Sequence, residues 1–287
     1  MTTADSIWPV EDKYLDGYER HVAVGRDVAL RTKVVFLAIA RDAMPHLTNT
    51  LALVEESAAM FREAVFYVFE NDSTDGTDAV LKEFAASRPW VTTEHATLDR
   101  PDVRGFEPER TVRLAEYRNR CRDWAIKNHP DADYVIVLDL DPHGGFSTAG
   151  ILNSIGRLCE LRSSTLQPAL AGAMASMSLF VSKGRDGSPG VAQYDAWAAR
   201  MNFWEDRRGG PGGMAWFHML LLPIGSPPVP MNSAFGGLCV YEADAFYAPG
   251  VRYEGSDCEH VLLHKNMRAA GYQLYLNPGS RYIAILP

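Results

Sequence analysis

The chain has 287 residues, a formal net charge of −8 at pH 7 and a hydrophobic content of 47%. That balance excludes a nucleic-acid binder that relies on a basic face, and no run reaches the roughly 18 apolar residues of a membrane span. The length suits one large α/β domain or two small ones.

Residues 1–30 read as an irregular or partly helical extension, ahead of a domain spanning 31–287. The start, MTTADSIWPVEDKY, lacks the basic-then-apolar pattern of a signal peptide. Cys121, Cys159, Cys239 and Cys258 are scattered and read as reduced thiols, so a cytoplasmic protein is expected. Lys33 to Ala40 is the first strand candidate. The spacing of Leu47, Leu51, Val54, Ala58 and Phe61 predicts a helix within residues 44–62. Ala64 to Phe69 is a second strand, running into the cap-rich turn Glu70 to Thr77 and then a helix. Trp90 to Ala96 is a third strand, and a helix is expected over 111–128. Strand–helix alternation of this kind predicts a parallel sheet covered by helices. The second half is less regular. A helix is expected over Phe146 to Leu161, a strand over Leu170 to Val181 and a loop over Lys183 to Gly190. Further strands are expected at Phe217 to Leu222, Phe235 to Tyr241, Gln273 to Leu276 and Tyr282 to Leu286. A helix over 257–270 should end at Gly271.

The stretch Asp133 to Pro142, DYVIVLDLDP, organises the rest. Tyr134 to Leu138 is an unbroken apolar run, the pattern of a strand buried on both faces. Side chains alternate along a strand, so Asp139 and Asp141 share a face and Leu140 points back. Ligands of open α/β sheets bind at the carboxyl ends of the strands. Two carboxylates there form a hard-oxygen site for Mn²⁺ or Mg²⁺, and through it for a nucleoside diphosphate. The plainer reading is a turn start helped by Pro142.

Five motifs then fall in order: ENDSTDGT (Glu70–Thr77), EYRNRC (Glu116–Cys121), DYVIVLDLDP, NSAFGGLCVY (Asn232–Tyr241) and CEHVLLHKNMRAAGY (Cys258–Tyr272). Together they resemble the motif series of GT-A fold glycosyltransferases, over roughly residues 33–283. The C-E-H version and the first loop look most like capsule-associated mannosyltransferases and their bacterial and viral relatives. The resemblance implies an α/β fold of Rossmann-like type, with a mixed, mostly parallel central sheet and helices on both faces. Residues 31–145 would bind the nucleotide and 146–287 the acceptor.

It also implies roles. Glu70, Asn71 and Asp72 would face the nucleoside, although Glu70 and Asn71 replace the family's usual pair of aspartates. Arg118 would hold phosphate, with Asn119 bridging to the sheet. Asp141 would ligate Mn²⁺ (or Mg²⁺) directly. Asp139 would reach ribose or the metal. His260 would act as a third ligand or as a base. Glu259, Asp257 and Asp195 would face the sugars. Trp197 and Trp204 suit either a sugar face or the core. Asn232 to Gly237 resembles an acceptor-side loop, whose glycines let backbone approach a sugar.

The implied partners are a nucleoside diphosphate sugar, UDP- or GDP-linked, and a glycan or glycoconjugate acceptor. No nucleic acid and no membrane span are expected, while peripheral membrane contact stays open. The resemblance slightly favours retention of configuration. Three rivals were weighed. A nucleotidyltransferase should carry a glycine-rich basic loop where this chain has Ala40-Arg41-Asp42-Ala43-Met44. A non-catalytic carbohydrate-binding module would not need the full set of carboxylates. A zinc hydrolase built on His260-x-x-x-His264 lacks its glutamate base, since Val261 stands there.

Overall fold

The computed structural model describes residues 4–101, 103, 105, 107–163, 170–183, 186, 187, 189–201, 218 and 220–286. Helices α1 (Ala4–Ile7) and α2 (Asp12–Ala29) come first. Strands β1 (Lys33–Ala40), β2 (Glu63–Asn71), β3 (Val91–Ala96) and β4 (Tyr134–Leu138) then pair in parallel, in the order β3-β2-β1-β4. Helices α3 (Leu47–Ala58), α4 (Thr77–Ala86) and α5 (Pro108–Asn128) make the crossovers.

Beyond β4 the direction reverses. After α6 (Thr148–Arg162) come β5 (Leu170–Lys183), β6 (Pro189–Gln193), β7 (Val229–Met231) and β8 (Leu238–Glu242). Helices α7 (Ala243–Tyr247) and α8 (Glu259–Ala269) precede the last strand, β9 (Tyr272–Ile285). β8 pairs antiparallel with both β4 and β5, β9 runs parallel to β5, and β7 lies antiparallel against β9. The result is a nine-stranded mixed sheet, with β6 paired to β5.

Alternation along the central strands divides the core in two. Val34, Phe36 and Ala38 of β1 and Tyr134, Ile136 and Leu138 of β4 pack with α3 and α6. Val35, Leu37, Val135 and Val137 pack on the other face with α5 and α8. Leu140 continues the first set and is buried with it. Asp139 therefore inherits the α5–α8 face.

Within residues 4–30, α1 and α2 pack on the domain. Tyr18, His21, Gly25 and Ala29 of α2 are buried. Gly25 and Gly156 set the distance between α2 and α6. A Cβ on Gly25 would stand 1.9 Å from the Leu152 carbonyl oxygen, and one on Gly156 would stand 2.1 Å from that of His21. The buried Arg281 of β9 donates to the Trp8 carbonyl, to Asp5, to the Tyr18 hydroxyl and to Ser147.

Several expected boundaries move. Gln273–Leu276 and Tyr282–Ile285 belong to one strand, β9, with irregular register between them, and Leu286 lies past its end. Asn277 keeps that stretch in the sheet by accepting from Gly279 N and donating to Asn153 and Ser154. β8 starts at Leu238, because Gly236 and Gly237 adopt positive φ angles of 67° and 78° before it. The loop expected up to Gly190 already enters β6 at Pro189. Leu220 to Leu222 form no strand, and Phe217 and Met219 lie outside the described residues. Helix α8 begins at Glu259 with Cys258 as its N-cap. No helix among the described residues is long and apolar enough to cross a membrane, and all four cysteines are free.

Candidate active site

The carboxyl ends of β1, β2 and β4 and the entry to β8 surround one cleft of about 770 Å³. Its floor is the tip of β4. Asp139 N donates to the Gly237 carbonyl at 2.8 Å, which pins the tip to the start of β8. The Asp139 carboxylate accepts from Arg118 Nη2 at 2.9 Å. Arg118 Nε donates to Glu259 Oε1 at 3.0 Å. Burial works against the Arg118 charge, but Asp139 and Glu259 hold the guanidinium firmly protonated. Arg118 thus ties the strand tip to the N-terminus of α8. It stands less free for phosphate than expected, with only Nη1 lacking a hydrogen-bond partner.

Asp141 lines the same cleft and is open to it. Surrounding protein and then the Asp139 charge push its carboxyl up to about 6, an effect that water in the open cleft tempers. His260 also lines the cleft but is buried, with its ring stacked on Phe235 at 3.7 Å between centroids. Neither ring nitrogen has a hydrogen-bond partner. Burial, and then the Arg118 charge, hold its pKa well below the usual histidine range, so the ring is neutral. Among the described residues no three His, Cys, Asp or Glu side chains form a group that could hold a metal ion. The expected set of Asp139, Asp141 and His260 therefore shares a cleft without forming a closed ligand shell. Arg118 occupies the Asp139 carboxylate, and Phe235 fixes the imidazole. His264, one turn further on, is fully buried between the Ser233 and Tyr241 hydroxyls.

Asp195 sits on the opposite wall. It accepts from Gly236 N at 2.8 Å, so the positive-φ glycine loop holds it in place. Burial, and then Asp139, push its carboxyl up to about 6, with the Gly236 hydrogen bond opposing them. Glu259 is buried and reaches the cleft beside Arg118. Asp257 does not line the cleft. It pairs with the buried Arg200 at 3.1 Å and accepts from Cys258 N.

The nucleoside end is also redistributed. Asn71 lines the cleft, and its amide donates to Asp72 at 3.0 Å. Glu70 is buried behind it, accepting from Ser73 N and meeting His95 at 3.0 Å. Asp72, at a φ of 54°, accepts from Leu98 N and Asp99 N. Glu70 and Asp72 thus shape the turn that presents Asn71. Trp204 lies outside the described residues. One wall residue had no motif to mark it, Arg110 on α5, and Phe235 lay within a motif without being marked as the stacking partner of His260. The helical stripe Arg110, Leu114, Tyr117, Arg118 was the signal available for the first.

No family model and no curated protein matches the chain. Solved structures do. GalNAc-T7 with UDP, GalNAc and Mn²⁺ superposes with a TM-score of 0.52 at 13% identity, over 96% of this chain and 53% of its own. A 1–349 fragment of S. aureus TarS gives 0.49 at 12% identity, over 87% of this chain and 59% of its own. The mannosyltransferase PcManGT from Pyrobaculum calidifontis, in complex with GDP-Man and Mn²⁺, gives 0.48 at 13% identity, over 96% and 67%. The chain thus spans between about half and two thirds of these proteins. The strand order and the first likeness establish an α/β protein of the GT-A fold.

Proposed function

We propose that the chain is a glycosyltransferase. It would move a sugar from a nucleoside diphosphate donor to an acceptor hydroxyl, most naturally that of a glycan or glycoconjugate. The observation that carries this reading is the convergence of Asp139, Asp141, Asp195 and Glu259 on one cleft at the carboxyl edge of a GT-A sheet. The motif resemblance extends it to the capsule-associated mannosyltransferase-like group and slightly favours retention. The anomeric configuration of the product, read by NMR, decides the latter.

Hard carboxylate oxygens beside a neutral imidazole suit a divalent cation by type, although among the described residues no three of them stand together as a metal-holding group. Burial and the neighbouring Asp139 charge push the Asp141 carboxyl up to about 6, and neither ring nitrogen of His260 is hydrogen-bonded, Nε2 lying 3.5 Å from Glu259 Oε1. Asp139, Asp141 and His260 are the residues that would hold Mn²⁺ or Mg²⁺, which when bound supplies Lewis-acid neutralisation of the leaving diphosphate. Asn71 would face the nucleoside, with Glu70 and Asp72 fixing its turn. In an inverting transfer Asp195 would take the acceptor hydroxyl proton, because a base with a pKa near working pH is effective, while in a retaining one the leaving phosphate oxygen would take it. Glu259, oriented by Arg118, would hold sugar hydroxyls.

The test is nucleoside diphosphate release from a panel of UDP- and GDP-sugars with Mn²⁺, alongside thermal shift. The right donor raises the melting temperature by mass action. Asp141→Ala should abolish the Mn²⁺-dependent part of that shift. Retention of the full shift and turnover in this variant would refute the site. Absence of any release or stabilisation across the panel would favour a binding module.

A further inference from the structure

Arg110 stands apart from the groups assigned above. It lies in the first turn of α5, on the stripe that continues through Leu114, Tyr117 and Arg118 along the cleft. Its neighbours on that helix are engaged: Arg113 with Glu109 and the Pro101 carbonyl, and Arg118 with Asp139 and Glu259. Arg110 meets no carboxylate at ion-pair distance among the described residues. Its guanidinium lies over the Trp197 ring, 5.1 Å from the centroid. Trp197 belongs to the opposite wall, two residues from Asp195. Arg110 therefore crosses the cleft from the α5 side to the Asp195 side. Its charge acts on Asp141 and on Tyr194, both of which line the space beneath it.

Building on the sugar-transfer reading, we propose that Arg110 is a donor-binding residue whose guanidinium holds the diphosphate and stabilises it as it leaves. Asp139 and Glu259 are paired with Arg118, but Asp141 and Asp195 face this space with no ion pair among the described residues, and a diphosphate entering beside them needs a cation to offset their charge. Guanidinium presents a planar fork that matches phosphate oxygens. Lying against an indole orders its long side chain beforehand, which lowers the cost of binding. Sharing the cleft with Asp141 favours the donor phosphates over an acid carried by the acceptor. In the transfer, the bond between the anomeric carbon and the phosphate oxygen breaks, and its electron pair stays on that oxygen. The acceptor oxygen forms the new bond to the anomeric carbon, and its proton passes to the carboxylate of Asp195 in an inverting transfer or to the leaving phosphate oxygen in a retaining one. Arg110 donates hydrogen bonds to the phosphate as the negative charge grows.

The test is calorimetric titration of the full chain with UDP and with GDP, with and without Mn²⁺, for wild type, Arg110→Ala and Arg110→Lys. The matching nucleoside serves as control. Arg110→Ala should weaken the diphosphate that wild type binds by about tenfold or more, under both metal conditions. Nucleoside binding should be unchanged. Arg110→Lys should recover part of the loss, since it restores the charge without the fork. Arg110 is half-buried rather than core, so the fold should tolerate the change, and Arg110→Gln repeats the test if the alanine variant unfolds. Wild type that binds neither UDP nor GDP removes the sugar-transfer reading and this inference with it. Wild type that binds one of them, with Arg110→Ala equally tight, overturns the role of Arg110 alone. So does an unchanged diphosphate affinity with a raised acceptor KM, which would assign Arg110 to an acidic acceptor.

Discussion

At Asp195 the chemistry and the stability of the protein pull in opposite directions. Its carboxyl moves from an ordinary value of 3.8 to about 6 on folding, first through burial and then through the Asp139 charge. The folded state therefore binds this proton more tightly than the unfolded chain. The stabilising contribution is full below pH 3.8 and is lost as pH rises through about 6. At neutral pH the charged Asp195 costs stability. Asp195→Asn should accordingly melt higher at pH 7, by an amount on the order of 1–3 kcal/mol in unfolding free energy, while losing turnover. In wild type, kcat/KM should fall on the acid side with an apparent pKa near 6, and a flat profile there would count against Asp195 as the base. Asp139 and Asp141 were legible in sequence because strand alternation alone puts them on one face. Glu70 was not. Its position at a strand end is shared by residues that face a ligand and residues that brace a turn, and only the hydrogen bonds to Ser73 and His95 distinguish them. Arg118 was marked as a phosphate ligand, but its partner Glu259 is 141 positions away, a pairing that no local pattern reveals.

Among the elements, β1, β2 and β4 were readable because strands covered on both faces are written as continuous apolar runs. β9 was split in two because Asn277-Pro278-Gly279-Ser280 has turn chemistry. Side-chain bonds from Asn277 supply what the irregular ladder omits. β7 has three residues, one of them a proline, too few to carry a period. The α2–α6 contact hid in two glycines that look unremarkable in helical sequence. Because the opposing atoms are backbone carbonyls, side-chain repacking cannot relieve a larger residue. Gly25→Val and Gly156→Val should each destabilise by about 1–3 kcal/mol or more, measured by urea denaturation. Gly17→Ala in the same helix is the control, since a Cβ there meets only the end of the Arg20 side chain at 3.8 Å. Wild-type stability in both valine variants would mean that the two helices do not pack this closely.

Taken as a whole, the molecule does not treat its first 30 residues as a dispensable leader. Removing them would uncover the α6 surface that α2 buries. It would also leave the Arg281 guanidinium without Asp5, the Trp8 carbonyl and the Tyr18 hydroxyl. A buried cation stripped of its partners is strongly destabilising. A variant starting at residue 31 should therefore lose its cooperative thermal transition, followed by circular dichroism; a sharp transition at the parental temperature would show that the segment is peripheral. The first half of the sheet, β1 to β4, was legible almost strand by strand, and the other half was not, because its sheet is mixed and its strands join across long stretches of chain. That mixture has an evolutionary corollary. Where β8 runs against β4, loops from remote parts of the gene meet tip to tip, and neither dictates the other's length. The stretch that carries Tyr194 and Trp197 can therefore change in length without moving the strand tip that carries Asp139 and Asp141.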